Sequence, residues 1–335
     1  MGETSPASTA HPHHETVAGT RIAFLFPGQG SQSVGMGKEL AALYPLAQET
    51  FDEADEALSC KLSQMCFEGP EERLKLTEVT QPAILTVSVA AARVLQSVGV
   101  VPRYVAGHSL GEYSAHVASG TIEFADAVRT VRNRGKYMQE AVPVGEGAMA
   151  AVLGMPIEGL RHVCQEAAQG LVCEPANINS PDQIVISGST AAIERAAELA
   201  KHRGAKRAII LPVSAPFHCS LMKPAQERLA ADLHALKFHD MEFPLITNVD
   251  AEEISDPAKA RDALIRQVTG AVQWEKSMRV LIGRGVTHFI EVGPGKVLSG
   301  LMRQIDRTRT CLNVEDETSL QKTTNHFSHA VKSGI

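Results

Sequence analysis

The chain has 335 residues, 32 Lys plus Arg against 38 Asp plus Glu, a formal net charge of −6 and an apolar fraction of 44%. At ~150 residues per domain this length suits about two domains, or one large domain with an insertion, and the apolar content excludes a wholly disordered chain. The acidic balance without long basic runs argues against a protein that wraps nucleic acid, and no run of about 18 apolar residues is available to span a membrane.

Residues 1–20 are polar and rich in Thr, Ser, Ala and Pro, with neither an apolar run nor an arginine. They read as a disordered tail, neither secretory signal nor mitochondrial transit peptide, and His11, His13 and His14 within it read as accidental neighbours instead of metal ligands. IAFLFPGQG from Ile22 is a short strand feeding a Gly-rich turn. Apolar spacing predicts a helix over 36–58 and a second one opened by Gln81 and Pro82, with proline in the first turn. YVAGHSLGEYSAHVASG follows as strand, tight turn and helix, and residues 124–140 as an amphipathic helix. Strands alternating with helices imply a mainly parallel sheet covered on both faces.

From 144 to 213 the rhythm changes to β-α-β-β-α-β, the ferredoxin-like split βαβ unit. The expected fold is therefore α/β: a parallel-sheet domain assembled from 21–143 and 214–335, interrupted by a ferredoxin-like subdomain over 144–213. After the insert, a helix (LMKPAQERLAADLHAL), a strand (FPLITNV), a helix near DALIRQVT, a helix at 274–284 and the strand HFIEVGPG complete the pattern, with a polar C-terminal stretch beyond. Cys60, Cys66, Cys164, Cys173, Cys219 and Cys311 are scattered without a CxxC pair. They read as reduced thiols in a cytoplasmic protein.

Gly107-His108-Ser109-Leu110-Gly111 is a G-x-S-x-G between a predicted strand and a predicted helix. Such a turn exposes the serine hydroxyl and aims the next backbone N–H, here that of Leu110, at an anion forming beside it. The second Gly-rich turn, Phe26 to Gln32, lacks the spacing of a phosphate cradle. It reads as the source of a second N–H, from Gln29, completing an oxyanion hole. A serine needs a base, and histidine is the usual one. Of the thirteen histidines, those of the tail, the polar C-terminus and the charged helical surfaces fit poorly. His108 points away from the hydroxyl in such a turn, and His116 falls inside the following helix. His218 lies in SAPFHCSLM between Pro212 and a helix, with Pro216 holding the entry rigid. His288 reads as a half-buried strand residue. Spacing alone assigns Arg134 to a solvated helix face with Arg129 and Arg132.

FPGQGSQ, GHSLGEYSA, RGKYMQEAVP, SAPFHCSLMKPA, NVDA, RQVTGAVQW and EVGPGKVLSGL occur in this order. Together they resemble the malonyl-CoA:acyl-carrier-protein transacylase family of bacterial type II fatty-acid synthesis, from about Ile22 to beyond Leu301. The resemblance implies an α/β-hydrolase-like core with an inserted ferredoxin-like subdomain. It implies Ser109 as acyl-accepting nucleophile, His218 as general base and Gln267 as the residue whose backbone carbonyl orients that base. Gln29 and Leu110 match the oxyanion donors. Arg134 matches the arginine that pairs with the malonyl carboxylate, which reverses the reading from spacing. Gln81 matches a polar residue near that pocket, and Asn177 and Asn179 a coenzyme A contact region.

The implied partners are malonyl-CoA and acyl carrier protein, with no metal or redox cofactor; coenzyme A enters as the thioester substrate. A monomer is the default expectation. An acidic carrier meeting a chain of net charge −6 calls for a local basic patch, for which Lys136, Lys206, Arg207, Arg303 and Arg307 are candidates. One rival is a serine esterase or thioesterase, which would need an acid and then a late histidine; only His288 could serve, and Glu291 follows it too closely to be that acid. The other is an idle docking subunit retaining the fold.

Overall fold

The computed structural model describes residues 20–213 and 215–332; the N-terminal tail with His11, His13 and His14 lies outside the described residues. The first half runs β1 (Ile22–Phe26), α1 (Lys38–Leu43), α2 (Pro45–Leu58), α3 (Leu62–Glu68), α4 (Glu71–Leu74), α5 (Thr77–Ser97), β2 (Tyr104–Gly107), α6 (Gly111–Ala118) and α7 (Phe124–Glu140). Then come β3 (Gly147–Leu153), α8 (Ile157–Ala168), β4 (Cys173–Ser180), β5 (Gln183–Ser189), α9 (Thr190–His202) and β6 (Arg207–Ile210). The rest is a 3₁₀ turn at Ser220–Met222, α10 (Lys223–Ala235), β7 (Leu245–Ile246), β8 (Glu253–Ile254), α11 (Pro257–Gln267), α12 (Trp274–Gly283), β9 (His288–Val292), α13 (Val297–Ile305), β10 (Thr310–Val314) and α14 (Glu317–Lys332).

The larger sheet has the order β10-β9-β1-β2-β7-β8, parallel except for the β7–β8 edge. Its centre is β1, IAFLF, buried at every position, as a strand covered on both faces requires. The second sheet, order β4-β5-β3-β6, is antiparallel throughout and carries α8 and α9 over its own apolar cluster. The second sheet is stitched to the segment between α11 and α12, where Ile178 N–H donates to Val272 O and Val272 N–H to Ala176 O, both at 2.8 Å. The mixed α/β class follows the sequence pattern.

Three boundaries differ from the sequence reading. The helix expected over 36–58 is broken, because Pro45 holds Tyr44 extended (φ −124°, ψ 115°) and restarts the helix as α2. The helix expected to open at Gln81 begins at Thr77, so Pro82 lies inside α5. Thr80 Oγ1 donates to Leu74 O and Leu76 O there, fastening the first turn without help from the proline. The polar C-terminal stretch forms α14, with Leu320 and Thr323 buried.

α5 and α7 cross closely because Gly135 has no side chain: a Cβ there would come within 2.6 Å of Thr77 O. That crossing brings Arg134 of α7 beside Gln81 of α5. α7 buries Ala127, Val131, Arg134 and Met138, a single helical stripe, so a charged residue sits on the apolar face.

Candidate active site

Ser109 occupies the turn between β2 and α6 at φ 53°, in the left-handed region that a side chain rarely adopts. Two glycines make room for it. A Cβ on Gly107 would lie 1.9 Å from Gly111 C and O, and one on Gly111 would lie 2.0 Å from Phe26 O. The elbow is tied down on both sides. His108 N–H donates to Phe26 O at 3.0 Å, and Ser109 N–H donates to Asn248 Oδ1 at 2.6 Å, while Asn248 Nδ2 donates to Gly107 O at 2.6 Å. Asn248, just past β7 and buried, thus holds the strained residue by its own backbone and by that of Gly107, two residues before it.

His218 reaches Ser109 from the segment before α10. It too has positive φ, 60°. Its Nε2 lies 2.7 Å from Ser109 Oγ and its Nδ1 lies 2.9 Å from the Gln267 carbonyl oxygen. A carbonyl can only accept, so Nδ1 carries the proton and Nε2 is free to accept from the serine hydroxyl. The loop is fastened to the second sheet. Ser220 N–H and Oγ donate to Glu174 of β4 at 2.9 and 2.7 Å, and Pro216 packs where a Cβ on Gly147 of β3 would stand.

Burial drives the His218 pKa down to about 3, and the positive charge of Arg134 adds to the effect. The bond to the Gln267 carbonyl pulls the other way. The imidazole is therefore a neutral acceptor at ordinary pH.

Arg134 is 2% exposed. Its Nη1 donates to Gln81 Oε1 at 2.8 Å, and its Nη2 to Gln267 Oε1 at 2.9 Å and Ser109 Oγ at 3.2 Å. None of the ion pairs among the described residues includes it, and its Nε has no hydrogen-bond partner there. The reading of Arg134 as a solvated residue is overturned: Arg129 and Arg132 are exposed, whereas Arg134 falls on the buried stripe of α7. Its helical register carried that signal. A buried guanidinium stays charged, and one held only by neutral groups is a site that favours an incoming carboxylate.

These groups line a cavity open to solvent, with Gln29, Gln81, His108, Ser109, Leu110, Arg134 and Asn177 on the polar side. Met138, Met149, Val185, Leu211, Val213 and Phe217 form the apolar side. The backbone N–H groups of Gln29 and Leu110 have no acceptor among the described residues. Gln29 Nε2 donates to Thr77 Oγ1 at 3.3 Å. Asn177 lines the cavity with an unpaired buried Oδ1. Asn179 lies behind it and accepts from His108 Nε2 at 2.8 Å, which turns that ring away from the serine.

His288 stands elsewhere, with Nδ1 2.9 Å from Thr287 Oγ1 and Nε2 3.1 Å from His326 Nε2. Glu291 accepts from Leu298 and Ser299 N–H at the start of α13. The triad that a hydrolase would need from these two is not formed. Lys136 and Lys206 are paired with Glu140 and Asp182, whereas Arg207, Arg303 and Arg307 are exposed. Glu112 and Asn248 were not singled out from sequence; they lie inside GEYSA and NVDA, whose local patterns give no sign that they meet.

A left-handed serine on a strand–helix turn, a histidine oriented through its far nitrogen and two unpaired N–H groups are the arrangement that serine-dependent acyl transfer calls for. The acyl transferase domain family matches residues 23–330. The malonyl CoA-acyl carrier protein transacylase of Bacillus subtilis is 52% identical over 303 residues, covering 90% of this chain and 96% of that one. That of Escherichia coli K12 is 50% identical over 302 residues, covering 90% and 98%. The solved structure of the Coxiella burnetii transacylase superposes with a TM-score of 0.91 at 43% identity over 94% of this chain and all of that one. A malonyl-transacylase solved in complex with a type II polyketide acyl carrier protein gives 0.90 at 44% identity, covering 92% of this chain and 100% of that chain. The chain belongs to the malonyl CoA-acyl carrier protein transacylase family of acyltransferases.

Proposed function

We propose that the protein transfers the malonyl group from malonyl-CoA to the phosphopantetheine thiol of acyl carrier protein through a malonyl ester on Ser109, supplying units for fatty-acid synthesis. The observation that carries the malonyl assignment is Arg134: a buried cation without a carboxylate partner, 3.2 Å from the nucleophile. In the first half-reaction the Ser109 Oγ–H proton passes to His218 Nε2 as Oγ bonds to the thioester carbon. The carbonyl oxygen becomes an oxyanion facing the N–H groups of Gln29 and Leu110. The C–S bond then breaks, and the coenzyme A sulfur leaves with the proton from His218. The second half-reaction repeats these steps in reverse with the carrier thiol as nucleophile.

Gln267 serves twice, its backbone carbonyl orienting His218 and its side chain holding Arg134. A neutral carbonyl stabilises the imidazolium less than a carboxylate would, which suits a thioester that is already activated. Gln81 keeps the guanidinium aimed, and Asn177 offers its free amide oxygen to the incoming thioester arm, with Asn179 steadying His108 behind it. When a malonyl carboxylate pairs with Arg134, the positive field on His218 falls and its basicity recovers as the substrate arrives.

In this reading residues 144–213 form the insertion that closes one side of the pocket over the 21–143 and 214–335 core. Coenzyme A is a substrate and the protein brings no cofactor of its own. The same proposal includes a cytoplasmic monomer; among the described residues no helix is long and apolar enough to cross a membrane, and the six cysteines are free thiols. The test is malonyl transfer from malonyl-CoA to holo acyl carrier protein. Wild type is expected to transfer and Ser109→Ala to lose at least ~10⁴-fold, with no malonyl adduct in its intact mass. Free malonate released rapidly without carrier would instead mark a hydrolase.

A further inference from the structure

Behind the cavity, out of reach of its contents, lies a carboxylate that the reaction as written does not use. Glu112, in the first turn of α6, is fully buried. Its Oε2 accepts from Gln267 Nε2 at 2.7 Å and from the Asn248 backbone N–H at 3.1 Å. Its Oε1 has no hydrogen-bond partner among the described residues. Leaving a buried carboxylate oxygen unpaired is costly, and a purely structural role would be met better by a neutral or apolar side chain.

What an ionised carboxylate supplies is a single hydrogen-bonding sense: it can only accept. An amide can present either its oxygen or its NH₂ to a neighbour. Gln267 lies between Glu112, which only accepts, and Arg134, which only donates. That pair fixes its amide one way, Nε2 toward Glu112 and the Ser109 carbonyl, Oε1 toward Arg134 at 2.9 Å. Were the amide reversed, its NH₂ would face the guanidinium and push it off the nucleophile. The same Glu112 oxygen fixes Asn248, whose side chain holds the elbow.

We propose that Glu112 is a positioning residue for malonyl transfer, its ionised carboxylate setting the orientation of the Gln267 amide and so the aim of Arg134. The inference rests on the malonyl reading given above. The groups acting on its proton are Arg134 from α7 and the amide of Gln267 from α11, Asp250 and the Asn248 N–H beyond β7, and burial. Burial is the largest influence and raises the carboxyl to about 7; Gln267, Asn248 and Arg134 pull it down and Asp250 pushes it up. Its neighbour Tyr113 on α6 is buried beside Arg134. Protonated Glu112 becomes a possible donor and releases the amide, so acid should cost the enzyme its aim before His218 is protonated.

The test is single-turnover malonylation of Ser109 in the full chain with malonyl-CoA, quenched and read by intact mass from about pH 5 to 9. Wild type is expected to lose rate along an acid limb near pH 7. Glu112→Gln should be about ten-fold slower or more at alkaline pH and should lack that limb. Glu112→Asp, which restores the charge on a shorter arm, should regain the limb and part of the rate. A Glu112→Gln enzyme with the wild-type rate, or one that is slower yet keeps the limb unchanged, overturns the proposal. If Glu112→Gln shows no cooperative thermal unfolding, Glu112→Asp decides: a limb displaced in pH with a raised malonyl-CoA KM supports the role, and a profile identical to wild type overturns it. Wild type that forms no malonyl adduct at any pH would overturn the functional reading itself, a separate failure.

Discussion

The two ends of α6 set two kinds of burial side by side. At its start, Ser109 and Glu112 are bonded to Asn248 and Gln267, and Ser109 also to His218 and Arg134. Near its end, His116 is as buried as His218, and burial drives its pKa to about 3 as well. Yet neither ring nitrogen of His116 has a hydrogen-bond partner among the described residues, and its nearest aromatic neighbour is Phe238, edge to face at 6.4 Å. A depressed histidine pKa is therefore no mark of a base, since burial suffices to produce it. What separates a base from a packed ring is the partner on each nitrogen: a carbonyl on one side and a hydroxyl on the other.

The largest effect that would sharpen this contrast is His218→Ala, expected to slow malonylation of Ser109 by ~10³-fold or more in single-turnover assays. His116→Leu should stay within about two-fold of wild type in the same assay, since a ring that touches no reacting atom has nothing to contribute. A His116→Leu enzyme as slow as His218→Ala would break the comparison.

Arg134→Ala should come next, losing malonyl transfer by about 10²- to 10³-fold while acetyl transfer from acetyl-CoA holds or rises. Equal loss for both acyl groups would remove Arg134 as the reader of the carboxylate. The same variant tests the field on His218. Arg134 lowers the basicity of His218, so in a Glu112→Gln background, which lacks the limb near pH 7, its removal should shift the remaining, lower acid limb of acetyl transfer toward higher pH, and a limb that does not move would show burial acting alone.

The smallest effect is on stability in acid. The folded-state pKa of His116 lies at about 3 against 6.5 for the ordinary group. The unfolded chain therefore binds the extra proton first as pH falls, and stability is lost below about pH 6.5 toward 3. His116→Leu removes that proton uptake. Its unfolding free energy, from urea titration, should fall less than that of wild type between pH 7 and 5, by about 1 kcal/mol or more. Parallel decline would contradict the burial of a neutral ring.

The comparison also bears on how much was legible beforehand. Ser109 announces itself through two glycines and a strand–helix context, because the constraint is local. The β-α-β-β-α-β order likewise showed the smaller sheet. Arg134 was misread from spacing, although its register with Ala127, Val131 and Met138 placed it on the apolar stripe. Glu112 and Asn248 left no local trace, since their meaning lies in contacts with Gln267 and Ser109, distant in sequence. The start of α5 escaped because Pro82 looks like a helix opener, and the fastening of the first turn by Thr80 replaces the signal that a reader expects. The break between α1 and α2 was available in Pro45 and was masked by apolar spacing that continues across it.

The attachment of Ser220 to Glu174 has a consequence for how the enzyme tolerates change. Ser109 is fixed to the large sheet, whereas the loop carrying His218 is bonded to the small one at Glu174 and braced at Gly147. The 2.7 Å between Ser109 Oγ and His218 Nε2 is thus also a gauge of how the two sheets sit against each other. A subdomain contributing neither of the two residues still sets the distance between them. Substitutions at its seam with the core, around Ile178 and Val272, are therefore alterations of the Ser109–His218 contact made at a distance.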